Sequence, residues 1–203
     1  MKNKQNPLTT VLTLVAIAVF VLGGMYFLNN KSGTQSAVGD GNATSNDALE
    51  GLVGKPVPEF SLRDKNGVVY SPEALRGKNT ILFFNEGIMC YPSCWNQIVA
   101  LQEDKRLQSD DTIGLSIVID TPEDWRRAAE RMPELGFAKI LFDIDKSVSR
   151  KFGMLTSKSS MHYGSFPGHS YVLIDKAGIV RYVYDDPNMA INNNLLVSQV
   201  ARL

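Results

Sequence analysis

The chain holds two cysteines, Cys90 and Cys94, and they lie between an apolar run from Thr80 to Phe84 and a helical pattern that follows Pro92. This arrangement constrains the fold more than any other feature. A strand must deliver both sulfurs to the mouth of a helix, and the whole run from Asn79 to Gln97 reads as strand, dithiol loop and helix. At a helix start the unpaired N–H groups and the macrodipole favour a thiolate. A lowered pKa is what makes a cysteine nucleophilic near neutral pH. Residues four apart on a helix are about one turn apart, which brings their Cα atoms to about 6 Å, inside the range a disulfide bridges. Two cysteines cannot staple a whole domain, but they can close one local, reversible disulfide. The competing reading is a pair of inert, buried cysteines. Chance placement at a strand–helix junction with this spacing speaks against it.

The rest of the chain sets the context. Leu8 to Leu28 carries no charge, and at about 1.5 Å per residue it spans the roughly 30 Å of a bilayer core. Lys2 and Lys4 precede it, so residues 1–7 are expected in the cytoplasm and everything after the span outside it. A cleaved signal peptide would need a shorter apolar region and a small-residue cleavage site; Tyr26-Phe27-Leu28-Asn29-Asn30 offers none. The expectation is an uncleaved transmembrane anchor at 8–28 and a single-pass membrane protein. Residues 29–50, rich in Asn, Ser, Gly, Thr and Asp, read as a flexible linker. A folded domain is expected over 51–203. Its 203-residue parent chain has 21 basic and 21 acidic side chains, which gives no footprint for nucleic acid.

Within that domain, Phe60, Leu62, Val68 and Tyr70 flank Asp64-Lys65-Asn66-Gly67, a hairpin signal. Thr80–Phe84 and Thr112–Ile119 read as buried central strands. Thr121 is expected to cap a helix with Pro122 at its first position and Glu123 and Asp124 in its first turn. A short strand at 139–142 and a helix at 146–152, ended by Gly153, follow. Strands at 171–174 and 179–184 form a late hairpin, expected at the sheet edge. A helix from Met189 to Leu203, with Ile191, Leu195, Leu196 and Val200 inward, closes the chain. The order predicts an α/β fold with a central mixed sheet and helices on both faces, its middle strands parallel.

The stretches Gly54–Gly67 (GKPVPEFSLRDKNG), Leu75–Lys78 (LRGK), Ile81–Phe84 (ILFF), the two cysteines and Tyr171–Gly178 (YVLIDKAG), in that order, resemble the redoxin and peroxiredoxin (AhpC/TSA) group. The resemblance covers 51–203 and implies a thioredoxin-like fold. It also implies catalytic roles for Cys90 and Cys94, no cofactor, and protein thiol or disulfide substrates with an electron donor that the residues do not name. The chain departs from the pattern at two places. Three residues, not two, separate its cysteines. Peroxiredoxins carry a Thr or Ser three positions before the peroxidatic cysteine and a Pro seven before; here Gly87 and Phe83 stand there. The hydroxyl that positions peroxide is missing, and no Arg obviously replaces the second anion-holding group.

Thioredoxin-like proteins place a cis-proline just before the late Leu-Ile-Asp strand, facing the dithiol. Here the aligned residue is His169, with Pro167 two positions earlier. An imidazole in that place can hold or release a thiol proton. Glu86, beside the site, is a candidate acid/base group, against the plainer reading of a solvated loop carboxylate. His162 reads as a solvated loop residue. Cys90, Cys94 and His169 also resemble the copper-holding triad of Sco-type copper-delivery proteins, since thiolates and imidazole suit copper. There, a Pro follows each cysteine; here Tyr91 and Trp95 do. Two functions therefore stand: a membrane-tethered, extracytoplasmic thiol–disulfide oxidoreductase, with a peroxide-reducing variant, and a copper-delivery protein.

Overall fold

A computed structural model describes residues 47–203. The expected anchor at 8–28 and most of the linker lie outside the described residues. Among the described residues, no helix is long and apolar enough to cross a membrane.

A short helix α1 (Asp47–Glu50) opens the domain. Then come β1 (Leu62–Arg63), β2 (Val69–Tyr70), β3 (Asn79–Phe84), α2 (Ser93–Glu103), β4 (Thr112–Val118), α3 (Pro122–Arg131), β5 (Ile140–Phe142), α4 (Ser147–Lys151), β6 (Ser170–Ile174), β7 (Val180–Asp185) and α5 (Asn193–Val200). One seven-stranded sheet runs β2-β1-β5-β4-β3-β6-β7. The central three strands are parallel. An antiparallel hairpin joins each side: β1–β2 against β5, and β6–β7 against β3. The late hairpin is therefore not wholly marginal. β6 lies inside the sheet against the dithiol strand, and only β7 forms the edge.

Side chains of β3 alternate strictly between two cores. Leu82 and Phe84 pack with Leu115, Ile117, Val172 and Phe152 on one face. Ile81 and Phe83 pack with Trp95, Ile98 and Leu101 of α2 and Trp125 of α3 on the other. A period of two is what a strand covered on both faces requires. α3 starts as its sequence dictates: Thr121 Oγ1 accepts from Asp124 N at 3.1 Å, with Pro122 at the first turn.

Two boundaries differ from expectation. The domain begins before Gly51, because Asp47–Glu50 forms a helical turn and Leu49 lies in the core. The polar composition of 29–50 hid one apolar anchor. The final helix begins at Asn193, not Met189, and ends at Val200. The cause is local. The Asp186 carboxylate accepts from Asn188 N, Ala190 N and Asn192 Nδ2, and such side-chain bonds give the backbone an alternative to helix. Ile191, expected in the apolar stripe, is exposed.

Leu49→Ala should destabilise the domain by about 2–4 kcal/mol, the usual cost of emptying a buried leucine site. Urea unfolding of the full chain in detergent micelles measures it. A loss under about 0.5 kcal/mol, the size of an ordinary surface substitution, would place the domain boundary back at Gly51.

Candidate active site

The site grows from the end of β3. Asn85, fully buried, turns the chain out of the sheet: its Oδ1 accepts from Gly87 N at 2.9 Å. Gly87 has φ +61°, and a Cβ there would stand 1.8 Å from Asp120 Oδ2. Both the backbone angle and the space exclude any other residue. A single 3₁₀ turn, Gly87–Met89, follows. Asp120 Oδ2 accepts from Ile88 N at 3.1 Å, and Trp95 Nε1 donates to the Gly87 carbonyl at 3.2 Å. Strand end, turn and helix start are thus clamped together before either sulfur is considered.

Cys90 and Cys94 are disulfide-bonded, with Cα atoms 5.3 Å apart. Cys94 sits in the first turn of α2, and its N–H donates to the Cys90 carbonyl at 2.9 Å. Among the described residues the one cis peptide is Tyr91–Pro92, between the cysteines. The loop around Pro167 and His169 has none. Both cysteines are covered, with 2% and 1% of their surface exposed. The aromatic rim is open: Tyr91 is exposed, and its ring meets the edge of buried Trp95 at 5.0 Å.

His169 precedes β6 and is fully buried. Its Nδ1 lies 3.6 Å from Cys94 Sγ, and its Nε2 is 2.8 Å from the Tyr171 hydroxyl. The ring stands edge-on to Phe83 at 4.6 Å. The sequence reading of a ring facing the dithiol therefore holds in space. Burial lowers His169 to about 4, outweighing the pull of Asp186. In the disulfide state the imidazole is neutral at pH 7 and acts as a hydrogen-bonding group, not a standing cation.

Glu86 is not the solvated loop carboxylate of the plainer reading. It is fully buried. It accepts from Met161 N at 2.6 Å and His162 N at 3.2 Å, and pairs with His162 Nδ1 at 2.9 Å. The carboxylate fastens the 160–162 loop to the end of β3. His162 is exposed, as expected, and its Nδ1 also meets that carboxylate.

The family model described as "AhpC/TSA family" matches residues 53–183. The chain belongs to the AhpC/TSA family. It is 26% identical to the chloroplastic peroxiredoxin Q of Triticum aestivum over 72% of this chain and 66% of the relative, just under two thirds of that protein's length. Its fold is similar to that of Enterococcus faecalis AhpC, with a TM-score of 0.63 and 20% identity over 74% of this chain and 91% of the other. It is also similar to the peroxidoxin BcpB of Mycobacterium tuberculosis, with a TM-score of 0.60 and 20% identity over 75% and 97%.

The departure from the peroxiredoxin pattern at residue 87 has a reason in the structure. Gly87, at the place of the hydroxyl residue, is forced by its positive φ and by the Asp120 carboxylate beneath it. Four contributors were not apparent from the residues alone: Asp120, Tyr171, Met189 and Asn192. Asp120 had a signal, since it follows β4 and parallel neighbouring strands end on the same side of a sheet. The others had none.

Two buried groups tilt stability against pH in opposite directions. His169 is lowered from 6.5 to about 4. Between those values the unfolded chain binds a proton that the native chain refuses, so stability falls as pH falls through that window. Asp120 is raised from 3.8 to about 6 by burial, against the opposing Ile88 hydrogen bond. Its contribution is present below about pH 4 and lost as pH rises through about 6. The two offset each other. Asp120→Asn removes only the second, so between pH 7 and pH 4.5 the variant should lose about 2 kcal/mol more than the parent. Urea unfolding at the two pH values tests this; parallel losses would show that Asp120 titrates normally.

Proposed function

We propose that this chain is a thiol–disulfide oxidoreductase of the redoxin type, tethered to a membrane by residues 8–28 with its folded domain outside the cytoplasm. The observation that carries the reading is the Cys90–Cys94 disulfide at the mouth of α2, with His169 Nδ1 3.6 Å from Cys94 Sγ. Family membership supports the chemistry. The uncharged span after Lys2 and Lys4 supports the location.

In the reduced protein the Cys90 thiolate attacks a substrate disulfide. A bond forms between Cys90 and one substrate sulfur, and the other leaves as a thiolate that takes a proton from water. Cys94 then attacks the Cys90 sulfur, losing its proton as the Cys90–Cys94 bond closes, and the second substrate sulfur leaves as a thiolate that takes up that proton. Two electrons pass from the dithiol to the substrate, and an external thiol donor restores them. The neutral His169 ring, held by the Tyr171 hydroxyl, can accept the Cys94 S–H and keep that thiol aimed at Cys90. Peroxide reduction is the variant suggested by the peroxiredoxin names of the relatives. Gly87 weighs against it, because no hydroxyl stands there to position a peroxide oxygen.

Cys90→Ser should lower disulfide reductase activity on insulin by roughly a thousandfold. Cys94→Ser should retain the first step and accumulate a mixed disulfide with the substrate, visible as an added mass that dithiothreitol removes. A Cys90→Ser protein that still turns over would end this assignment.

One observation favours a second reading. The ligand atoms of Cys90, Cys94 and His169 lie within 4.8 Å of one another. That spacing suits a single soft ion at ordinary metal–sulfur and metal–nitrogen distances of roughly 2.0–2.3 Å. Tyr171 would fix the outer ring nitrogen. Copper would then be cargo for delivery, and the thiols its ligands. The reduced protein should bind one Cu(I) under anaerobic conditions and lose about tenfold or more in affinity on His169→Ala. Absence of binding by the parent in a competition titration with a chromophoric chelator would remove this reading.

A further inference from the structure

Neither cysteine is open to solvent, and the two are covered differently. Cys94 is shut in by the core and His169. Over Cys90 lies Met189, with its Sδ 3.8 Å from Cys90 Sγ. Met189 belongs to no helix or strand, and its φ is +50°. A methionine seldom adopts that left-handed backbone, and it persists only where surrounding contacts over-determine it. Those contacts are present on both sides. Asp186 accepts from Asn188 N at 2.9 Å and from Ala190 N at 2.8 Å, one residue before and one after Met189. Asn192 Nδ2 donates to the same carboxylate at 2.7 Å. The loop is also tied to the dithiol helix, since buried Gln97 of α2 accepts from Asn192 N and donates to Asn193 Oδ1 at 3.0 Å. The loop is thus built to hold one thioether against one sulfur.

We propose that Met189 is a gate over Cys90: its side chain covers the sulfur that an incoming thiolate must strike, and so sets how fast, and by what, the disulfide is opened. This rests on the oxidoreductase reading and deepens it. Reduction of the Cys90–Cys94 bond requires a nucleophile to reach Cys90 Sγ. The new bond forms there, Cys94 leaves as the thiolate, and the donor supplies both electrons. The gate affects access alone. Met189 forms no covalent bond in either redox state and only a long sulfur contact at 3.8 Å, so removing it changes the rate far more than the equilibrium between dithiol and disulfide. An unbranched thioether with three rotatable bonds suits this role, because a docking partner can push it aside without breaking packing. A small thiol that docks nowhere must wait for the gate to move. The gate thereby favours a protein donor over small thiols.

The test uses the full chain in detergent micelles, oxidised, with dithiothreitol as the probe and thiol labelling with mass detection as the readout. Met189→Ala should raise the second-order rate of reduction by about fivefold or more. The equilibrium constant against dithiothreitol should change by less than about twofold. Met189→Leu, which keeps the bulk without the sulfur, should react within about twofold of the parent. Met189→Gly, which suits the left-handed backbone, should melt at the parent's temperature or above and react as fast as the alanine variant. This separates loss of the cover from loss of the loop. The gate is overturned if Met189→Ala reacts no faster than the parent. It is equally overturned if Met189→Leu is as fast as Met189→Ala, or if the equilibrium constant moves as much as the rate. A disulfide that excess dithiothreitol opens in no variant at all would sink the oxidoreductase reading and the gate together.

Discussion

The pairing of β6 with β3 is the constraint on which the site depends. The register sets Phe83 opposite Tyr171 and Phe84 opposite Ser170. His169 is the next residue out, so it falls beside the chain where β3 leaves the sheet for the dithiol. Side chains alternate along a strand, and a slip of one residue would send Tyr171 to the opposite core and turn the strand end over. The rings of Phe83 and Tyr171 stack at 4.7 Å, and Tyr171 stacks on Tyr184 at 6.2 Å. That aromatic ladder makes the surroundings of His169 dry, which is why the ring stays neutral, and the Tyr171 hydroxyl anchors the ring's outer nitrogen.

Around that pairing, carboxylates organise the loops. Asp186 shapes the segment that carries Met189. Glu86 gathers the amides of Met161 and His162. Asp143, fully buried, accepts from Val148 N and Ser149 N at the start of α4. A buried charge is costly unless it is bonded, and each of these acids is bonded to backbone N–H groups that no helix or strand satisfies. These loops are therefore tied down by side-chain bonds rather than by regular structure. Asp120 differs. It accepts from the Ile88 amide, and burial outweighs its backbone hydrogen bonds and pushes its carboxyl upward.

The AhpC/TSA scaffold here carries a modified active turn. Once Asp120 rises under the turn and residue 87 takes a positive φ, only glycine fits, and the hydroxyl usual in peroxiredoxins has no place. A second sulfur one helical turn along takes up the space beside Cys90. Scaffold and site are thus separable: the sheet and its helices are those of the family, while a few contacts under one 3₁₀ turn decide which side chains surround Cys90.

Local residue patterns carried much of this on their own. The strand-to-helix dithiol, the alternating cores, the Thr121 cap and the hairpin turns were all legible, because each follows from periodicity or from neighbours a few positions apart. The approach of His169 to the dithiol was legible only through family resemblance. Met189, Tyr171 and Asn192 lie far from Cys90 along the chain, and nothing in their own surroundings marks them. Leu49 was hidden in a polar stretch, and Glu86 looked solvated because its partners are 74 to 76 residues away. What the amino-acid order determined by itself was the sheet, its helices and the two sulfurs. What the tertiary structure alone decided was which side chains cover those sulfurs and which carboxylates are buried, because burial and contact between distant segments exist only once the strands have paired.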